Sequence, residues 1–180
     1  MTTKLTHPLD TVQVLTYTFA DDGSIPNHPS LPLILYKGVL RLAANDPASI
    51  AEELFTQNGW QGMWRNGIFD FHHYHSNAHE VLAICRGQAT VRFGGEQGET
   101  ITVTAGDVAL LPAGTGHKRL SPSGDLLVVG AYPPGQHPDL CRGGSTERPR
   151  VLTAIQQVAP PAQDPVYGNS GPLFSDWRLR

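Results

Sequence analysis

The sequence has few of the residues that would indicate an oxidising compartment or a strongly charged partner. It contains two cysteines, Cys85 and Cys141, in 180 residues. Two thiols are too few for a disulfide framework or a four-thiolate zinc site, so free thiols are expected. Thirteen basic and sixteen acidic side chains give a formal net charge of -3, without a basic block. Composition therefore indicates neither nucleic acid nor a membrane as partner, and a small-molecule ligand is expected.

Long hydrophobic runs are also lacking. The opening residues, MTTKLTHPLD, contain no apolar stretch of signal-peptide length. No other run approaches the ~18 apolar residues that a membrane-spanning helix needs. These features predict a cytoplasmic protein. With 39% hydrophobic residues, the chain has the usual length for one domain with a closed core, so residues 1–180 are expected to form a single domain.

The sequence leaves little room for long helices, because 19 glycines and 15 prolines interrupt it. The segments between them are short and rich in β-forming residues, which predicts an all-β fold, an antiparallel barrel or jelly roll with one or two peripheral helices. Its core should span about 60–131, after N-terminal strands and a helix at 10–59 and before a loop-rich tail at 133–180. The strands are predicted at 11–19, 31–36, 67–75, 80–87, 88–95, 99–106, 107–114, 117–121 and 125–132.

One convincing helix is predicted before the barrel. Asp46 is a candidate N-cap with Pro47 at the first helical position, and Asn58-Gly59 is a natural stop. The helix should pack as a lid outside the barrel through an apolar stripe formed by Ile50, Leu54 and Phe55. A second, short helix is expected in the tail, near 151–158.

Four of the eight histidines lie within DFHHYHSNAHE, residues 70–80. Neutral imidazole is the commonest protein ligand for transition metals. Alternate residues of a strand share a face, so His73 and His75 can converge on one ion. By the same rule His72 and Tyr74 point the other way.

Two further residues can complete a metal site. A turn after residue 76 would return the next strand with Glu80 at its start, and His117 opens a strand after the turn PAGTGH. We therefore predict one divalent transition-metal ion, Fe, Mn, Ni, Cu or Zn, bound by His73, His75, Glu80 and His117. Such a site leaves a coordination position for water, dioxygen or a chelating substrate.

The spacing of these residues resembles the first motif of the cupin superfamily. Gly67 is followed after five residues by His73-Tyr74-His75, after four more by Glu80 and after six more by Gly87. Every fixed position of that motif is matched.

The second cupin motif is similar to the segment that begins at Gly106. Five residues later comes Pro112-Ala113-Gly114, and two residues after that His117. Ser121 stands where the pattern usually has Asn, a departure that does not touch a metal ligand. The flanking sequence resembles a largely uncharacterised bacterial cupin subfamily. The resemblance implies a β-barrel with a central metal and a homodimer formed through the N-terminal strands.

Candidate catalytic residues are His79 and Arg119. His79, beside Glu80, can form a hydrogen bond to a metal ligand or transfer a proton, but a solvent-exposed turn histidine is the simpler reading. Arg119 shares the strand parity of His117 and can bind a substrate carboxylate or phosphate, or form a salt bridge at the sheet edge.

Aromatic residues flank the predicted site on both sides. Phe69 and Phe71 share the parity of His73, and filling the core is expected ahead of lining a pocket. Trp60 and Trp64, at the entry to the barrel, are expected to be packing residues.

The leading functional hypothesis is a small-molecule metalloenzyme. Its expected chemistry is of the oxygenase type, on a substrate that chelates the metal through oxygen, such as an enediol, hydroxyketone or phenol. One alternative is a sugar or sugar-phosphate isomerase, which a pocket with several Arg and Lys would favour. Another is a non-catalytic, metal-dependent ligand-binding or sensing module.

Overall fold

A computed structural model describes residues 4–43 and 45–178. Within these residues nine strands form two antiparallel sheets that face each other. The larger sheet has the order β1-β2-β7-β4-β9-β3 and the smaller one β6-β5-β8. The strands are β1 (Gln13–Tyr17), β2 (Leu33–Lys37), β3 (Gln61–Asn66), β4 (Glu80–Arg86), β5 (Gln88–Phe93), β6 (Glu99–Thr104), β7 (Val108–Leu111), β8 (His117–Pro122) and β9 (Leu127–Tyr132). The predicted all-β fold is confirmed.

The helices of the described ranges are peripheral. They are α1 (Pro47–Gln57), α2 (Arg148–Gln157) and α3 (Pro172–Asp176), preceded by a short 3-10 turn at Leu9–Thr11. The two predicted helices are therefore present, while α3 was not predicted. No described helix is long and apolar enough to span a membrane. The cytoplasmic location stays a prediction.

Helix α1 begins and ends where the sequence predicts, but the side chain of its N-cap residue makes no capping hydrogen bond. Asp46 occupies the N-cap position without bonding the backbone of the helix, because its carboxylate receives hydrogen bonds from Arg65. The helix lies on the outer face of the larger sheet, against β3, β4 and β9. Its buried stripe consists of Ala48, Ala51, Leu54 and Phe55, whereas Ile50 is only half-buried.

Strand β4 is buried along nearly its whole length because both faces of the larger sheet are covered. One face meets the smaller sheet through residues such as Leu82, Ile84 and Val91. The opposite face packs against α1, α3 and aromatic residues that include Trp60. Burial of these apolar side chains is the main source of the fold's stability. Cys85 and Cys141 are buried free thiols, as expected.

Two strand predictions were wrong. The segment 67–75 is not a continuous strand: within the described structure it forms isolated bridges, from His73 to His117 and from Tyr74 to Cys141, and a separate hydrogen bond of 2.9 Å from the Arg119 N–H to the Phe69 carbonyl oxygen. His117 lies on β8 and Cys141 lies in the C-terminal tail, so the segment does not pair continuously with one neighbouring strand. Strand β3 was missed because Gly59 and Gly62 interrupt its β-pattern; it pairs with β9 through an irregular register.

Candidate metal centre

Three imidazoles converge at one end of the space between the sheets. His117 is the first residue of β8, and His73 and His75 lie on the segment that precedes β4. The backbones of His73 and His117 exchange two N–H···O hydrogen bonds, of 3.3 and 2.9 Å. One ring nitrogen from each of the three histidines lies within 4.8 Å of the others. The nitrogens of His73 and His75 thus lie together as predicted, although the segment is not a strand, and their binding of an ion stays a prediction.

The backbone fixes which nitrogen of each imidazole faces the centre. Nδ1–H of His73 donates to the carbonyl oxygen of Phe71 at 3.1 Å, and Nδ1–H of His117 donates to that of Thr115 at 3.1 Å. Nδ1–H of His75 donates to the carbonyl oxygen of Asp139. Because a carbonyl can only accept, each Nδ1 carries a hydrogen, which leaves Nε2 of each ring as the nitrogen that can bind a metal. This is the tautomer that a metal-binding histidine requires.

Glu80, the first residue of β4, contributes a buried carboxylate to the same centre. Its Oε2 atom lies 3.2 Å from Nε2 of His117 and 3.4 Å from Nε2 of His75. Neither contact has hydrogen-bond geometry, and Oε2 has no hydrogen-bond partner in the described ranges. A buried carboxylate oxygen in that state is costly unless a cation compensates it. The donor set, three imidazole nitrogens and one carboxylate, fits a divalent transition metal.

The pKa values follow from this crowding. Burial alone would raise the pKa of Glu80, but the imidazoles of His75 and His117 hold it well below its usual range. Burial alone would lower the pKa of His75, but the Glu80 carboxylate raises it to about 9. Burial, assisted by the charge of His117, lowers the pKa of His73 to about 3. These directions favour an ionised Glu80 beside the imidazoles, and metal binding to His75 would compete with protonation of its ring.

Tyr132, at the end of β9, orients the Glu80 carboxylate. Its hydroxyl donates to Oε1 of Glu80 at 3.1 Å and accepts from Nε1–H of Trp64 at 2.8 Å. Gly130 makes room for this arrangement, because a Cβ there would lie 2.2 Å from the Trp64 ring. Tyr132 was not predicted to belong to the site, and Trp64 was expected to be a packing residue only.

The C-terminal tail completes the centre through Asp139. The Asp139 carbonyl oxygen accepts the hydrogen bond of His75, and its carboxylate accepts hydrogen bonds from the backbone N–H, at 2.7 Å, and the hydroxyl of Ser76. Cys141 and Tyr74 exchange two backbone hydrogen bonds of 3.0 Å nearby. The tail thus fixes one imidazole, a role that its Pro- and Gly-rich sequence did not indicate.

A cavity of about 450 Å³ opens beside the imidazoles. Its lining combines the metal-site residues with other polar groups and with apolar walls, and consists of Trp64, Asn66, Gly67, Ile68, Phe69, Asp70, His73, His75, Glu80, Leu82, His117, Arg119 and Tyr132. The expectation that Phe69 fills the core was wrong: it is 51% exposed. Phe71 is half-buried, stacks on Phe69 with ring centroids 4.8 Å apart, and lies under the guanidinium of Arg142.

The other two histidines of the cluster point away from the cavity. Nε2 of His72 lies 2.8 Å from a carboxylate oxygen of Glu96 on the outer surface. His79 faces away from the three converging imidazoles, but the expectation that it is exposed to solvent was wrong. It is fully buried, its Nδ1 accepts from the Ala113 N–H at 2.9 Å, and its ring packs on Trp177. His79 does not line the cavity, whereas Arg119 does.

Comparison with known proteins identifies the family. The sequence profile described as Cupin domain matches residues 61–129. The uncharacterised protein YjlB of Bacillus subtilis (strain 168) is 45% identical over 162 residues, which cover 90% of this chain and 95% of YjlB.

Solved structures with a similar fold are more distant. An acireductone dioxygenase from Bacillus anthracis, with a cadmium ion in its active centre, aligns with a TM-score of 0.39 and 15% identity over 70% of this chain and 82% of its own. The TDP-fucose-3,4-ketoisomerase WlaRA from Campylobacter jejuni aligns with a TM-score of 0.34 and 12% identity over 41% of this chain and 59% of its own, less than two thirds of that protein. Neither likeness bears on the reaction. The family profile and the extended identity to YjlB together show that the chain belongs to the cupin family.

Proposed function

We propose that this protein binds one divalent transition-metal ion through His73, His75, Glu80 and His117. We further propose that it is a metalloenzyme with oxygenase-type chemistry on a small molecule that chelates the ion through oxygen. The observation that supports both is the donor set: three imidazoles whose free nitrogens converge, beside a buried carboxylate oxygen that has no hydrogen bond among the described residues. A metal held this way supplies a Lewis acid or a redox centre.

The residues around the donor set prepare the site for a small ligand. Tyr132 holds one oxygen of Glu80, so the other oxygen is directed toward the imidazoles. Trp64, Ile68 and Leu82 provide apolar walls that exclude water from a bound ligand. A volume of about 450 Å³ lies within the range of small-molecule sites in proteins, ~300–1,000 Å³.

The isomerase alternative has less support. The described residues that line the cavity include one arginine and no lysine, whereas a sugar phosphate would call for several basic groups. A non-catalytic metal-dependent binding protein would use the same donor set. Turnover of a bound ligand separates that alternative from an enzyme.

We also propose that the protein is a homodimer. Strand β1 lies at an edge of the larger sheet and, among the described residues, pairs with β2 alone. Its free backbone groups can pair with β1 of a second copy, which would remove an exposed strand edge. Light scattering at micromolar concentration tests this, and a monomeric mass would contradict it.

Elemental analysis of protein purified without a tag tests the metal site. We expect close to one transition-metal ion per chain, lost in His73→Ala and in His117→Ala but retained in the matched control His72→Ala, whose imidazole contacts the exposed Glu96 instead of the cavity. Equal metal content in the His73→Ala and His72→Ala proteins would contradict the proposal.

Oxygen uptake with a panel of enediols, hydroxyketones and phenols then tests the proposed enzymatic activity. Ligand binding without turnover would favour a non-catalytic binding protein.

A further inference from the structure

Arg119 places a positive charge in the same cavity as the metal-binding residues. It follows His117 by two positions on β8, so both side chains leave the same face of the strand. The two Cα atoms are about 7 Å apart along such a strand. Arg119 is half-buried and lines the cavity together with Trp64 and Phe69.

The guanidinium of Arg119 is unpaired among the described residues, which sets it apart from comparable arginines. Three arginines of the described ranges are half-buried: Arg92, Arg119 and Arg148. Arg92 forms a salt bridge with Glu96, and Arg148 forms one with Asp21. No described carboxylate oxygen lies within 4 Å of the Arg119 guanidinium, although Asp70 also lines the cavity and is exposed at its rim. A partly desolvated guanidinium without an anion is incomplete as a binding group.

We propose that the ligand of this cavity carries a carboxylate that Arg119 binds, in addition to the oxygen atoms that chelate the metal. This inference rests on the proposed metal site. One guanidinium matches the charge and the planar two-oxygen geometry of one carboxylate, whereas a phosphate dianion would leave a negative charge uncompensated. The walls formed by Trp64, Ile68 and Phe69 favour an apolar or aromatic body between the carboxylate and the chelating oxygens.

A pair of probes that differ only in the carboxylate tests this inference. Catechol presents two adjacent oxygens for chelation, and 3,4-dihydroxybenzoate adds a carboxylate across the ring. Titration calorimetry on the metal-loaded protein should give about 10-fold or more tighter binding of 3,4-dihydroxybenzoate, as expected for charge-assisted hydrogen bonds. Arg119→Gln should remove that preference while binding catechol as the wild type does, and Arg119→Lys should restore part of it.

Lys118→Gln is the matched control. Lys118 precedes Arg119 on the same strand, points to the opposite face and lies 3.9 Å from Glu96. The Lys118→Gln substitution removes one positive charge outside the cavity, so it should leave the preference for 3,4-dihydroxybenzoate unchanged. Metal content and melting temperature establish that each variant is folded and loaded.

Four results would overturn the inference in distinguishable ways. Equal affinity for the two probes would contradict carboxylate binding by Arg119 but would not contradict the proposed metal site. If Arg119→Gln kept the preference for 3,4-dihydroxybenzoate, another group would bind the carboxylate. If Lys118→Gln lost the preference as fully as Arg119→Gln, overall charge would explain it. Failure of both probes to bind the metal-loaded wild type, or equal binding to the metal-free protein, would contradict the proposed function and this inference with it.

Discussion

Tyr132 donates a hydrogen bond to Glu80 across 52 positions of sequence, with 3.1 Å between the phenol oxygen and Oε1. The two residues belong to the paired strands β9 and β4, so the sheet itself sets this contact. It leaves the second oxygen of Glu80 facing the imidazoles. The proposed metal centre is therefore built by the larger sheet as well as by the histidine-rich segment.

Removing this hydroxyl should weaken metal binding without unfolding the protein. Tyr132→Phe keeps the ring and releases the Glu80 carboxylate, and the loss of such a supporting hydrogen bond typically costs about 10-fold or more in metal affinity. Competition with a metal chelator measures it. Tyr36→Phe is the control, since it removes another buried tyrosine–carboxylate hydrogen bond, to Asp164, away from the centre. An unchanged affinity in Tyr132→Phe would contradict the role of Tyr132.

The tail should contribute to metal affinity through Asp139. Asp139→Ala removes the acceptor of both Ser76 hydrogen bonds, so the carbonyl that orients His75 is no longer held in place. We expect metal affinity to fall about 10-fold. Asp125→Ala, which removes an exposed carboxylate bonded only to the Ser123 hydroxyl in the described structure, should leave the affinity unchanged. Equal affinities for the two variants would show that the tail does not position His75.

Much of this centre could be predicted from the sequence, and the reasons are local. The alternation of side chains groups His73 with His75. The motif spacing adds Glu80 and His117, and each of these two residues begins a strand. The bounds of α1 follow from Pro47 and from the stop after Gln57.

The supporting residues could not be predicted, because long-range packing decides them. Nothing near Tyr132 or Asp139 in sequence indicates that folding brings them to Glu80 and His75. Phe69 was misplaced because parity assumes a continuous strand, whereas the described residues of that segment form isolated bridges. His79 was expected in solvent because it follows a turn, but Trp177 covers it.

Metal removal should leave the barrel folded. Its stability comes from two apolar layers on either side of the larger sheet, and the donor set contains no thiolate. Circular dichroism of chelator-treated protein should keep its β-sheet signal, with a cooperative melt at a lower temperature because the bound ion stabilises only the folded state. Unfolding by the chelator alone would show that the ion is structural, as in proteins whose metal binding drives folding.

Acid should destabilise the protein through His28. Burial lowers the pKa of His28 to about 4, and its Nδ1 accepts hydrogen bonds from the N–H groups of Ser30 and Leu31. The unfolded chain takes up a proton near pH 6.5 and the folded one only near pH 4, so the free energy of unfolding falls as pH decreases through that window.

A comparison of two histidine variants isolates this contribution. In His28→Asn the amide oxygen can accept the same N–H groups without titrating, so urea unfolding of metal-free protein should show a weaker pH dependence than in the wild type. His137→Asn, at an exposed position, should keep the wild-type dependence. Identical pH profiles for the wild type and His28→Asn would contradict the assignment.

Anomalous X-ray scattering from crystals of the metal-loaded protein tests the central claim most directly. Data collected on either side of the absorption edge of the bound metal locate the ion independently of the protein atoms. The account predicts one strong peak, bound by Nε2 of His73, His75 and His117 and by Oε2 of Glu80, with an open position toward the cavity that Arg119 lines. A peak at His72 or His79 would contradict it. So would an ion bound by the three imidazoles but not by the Glu80 carboxylate.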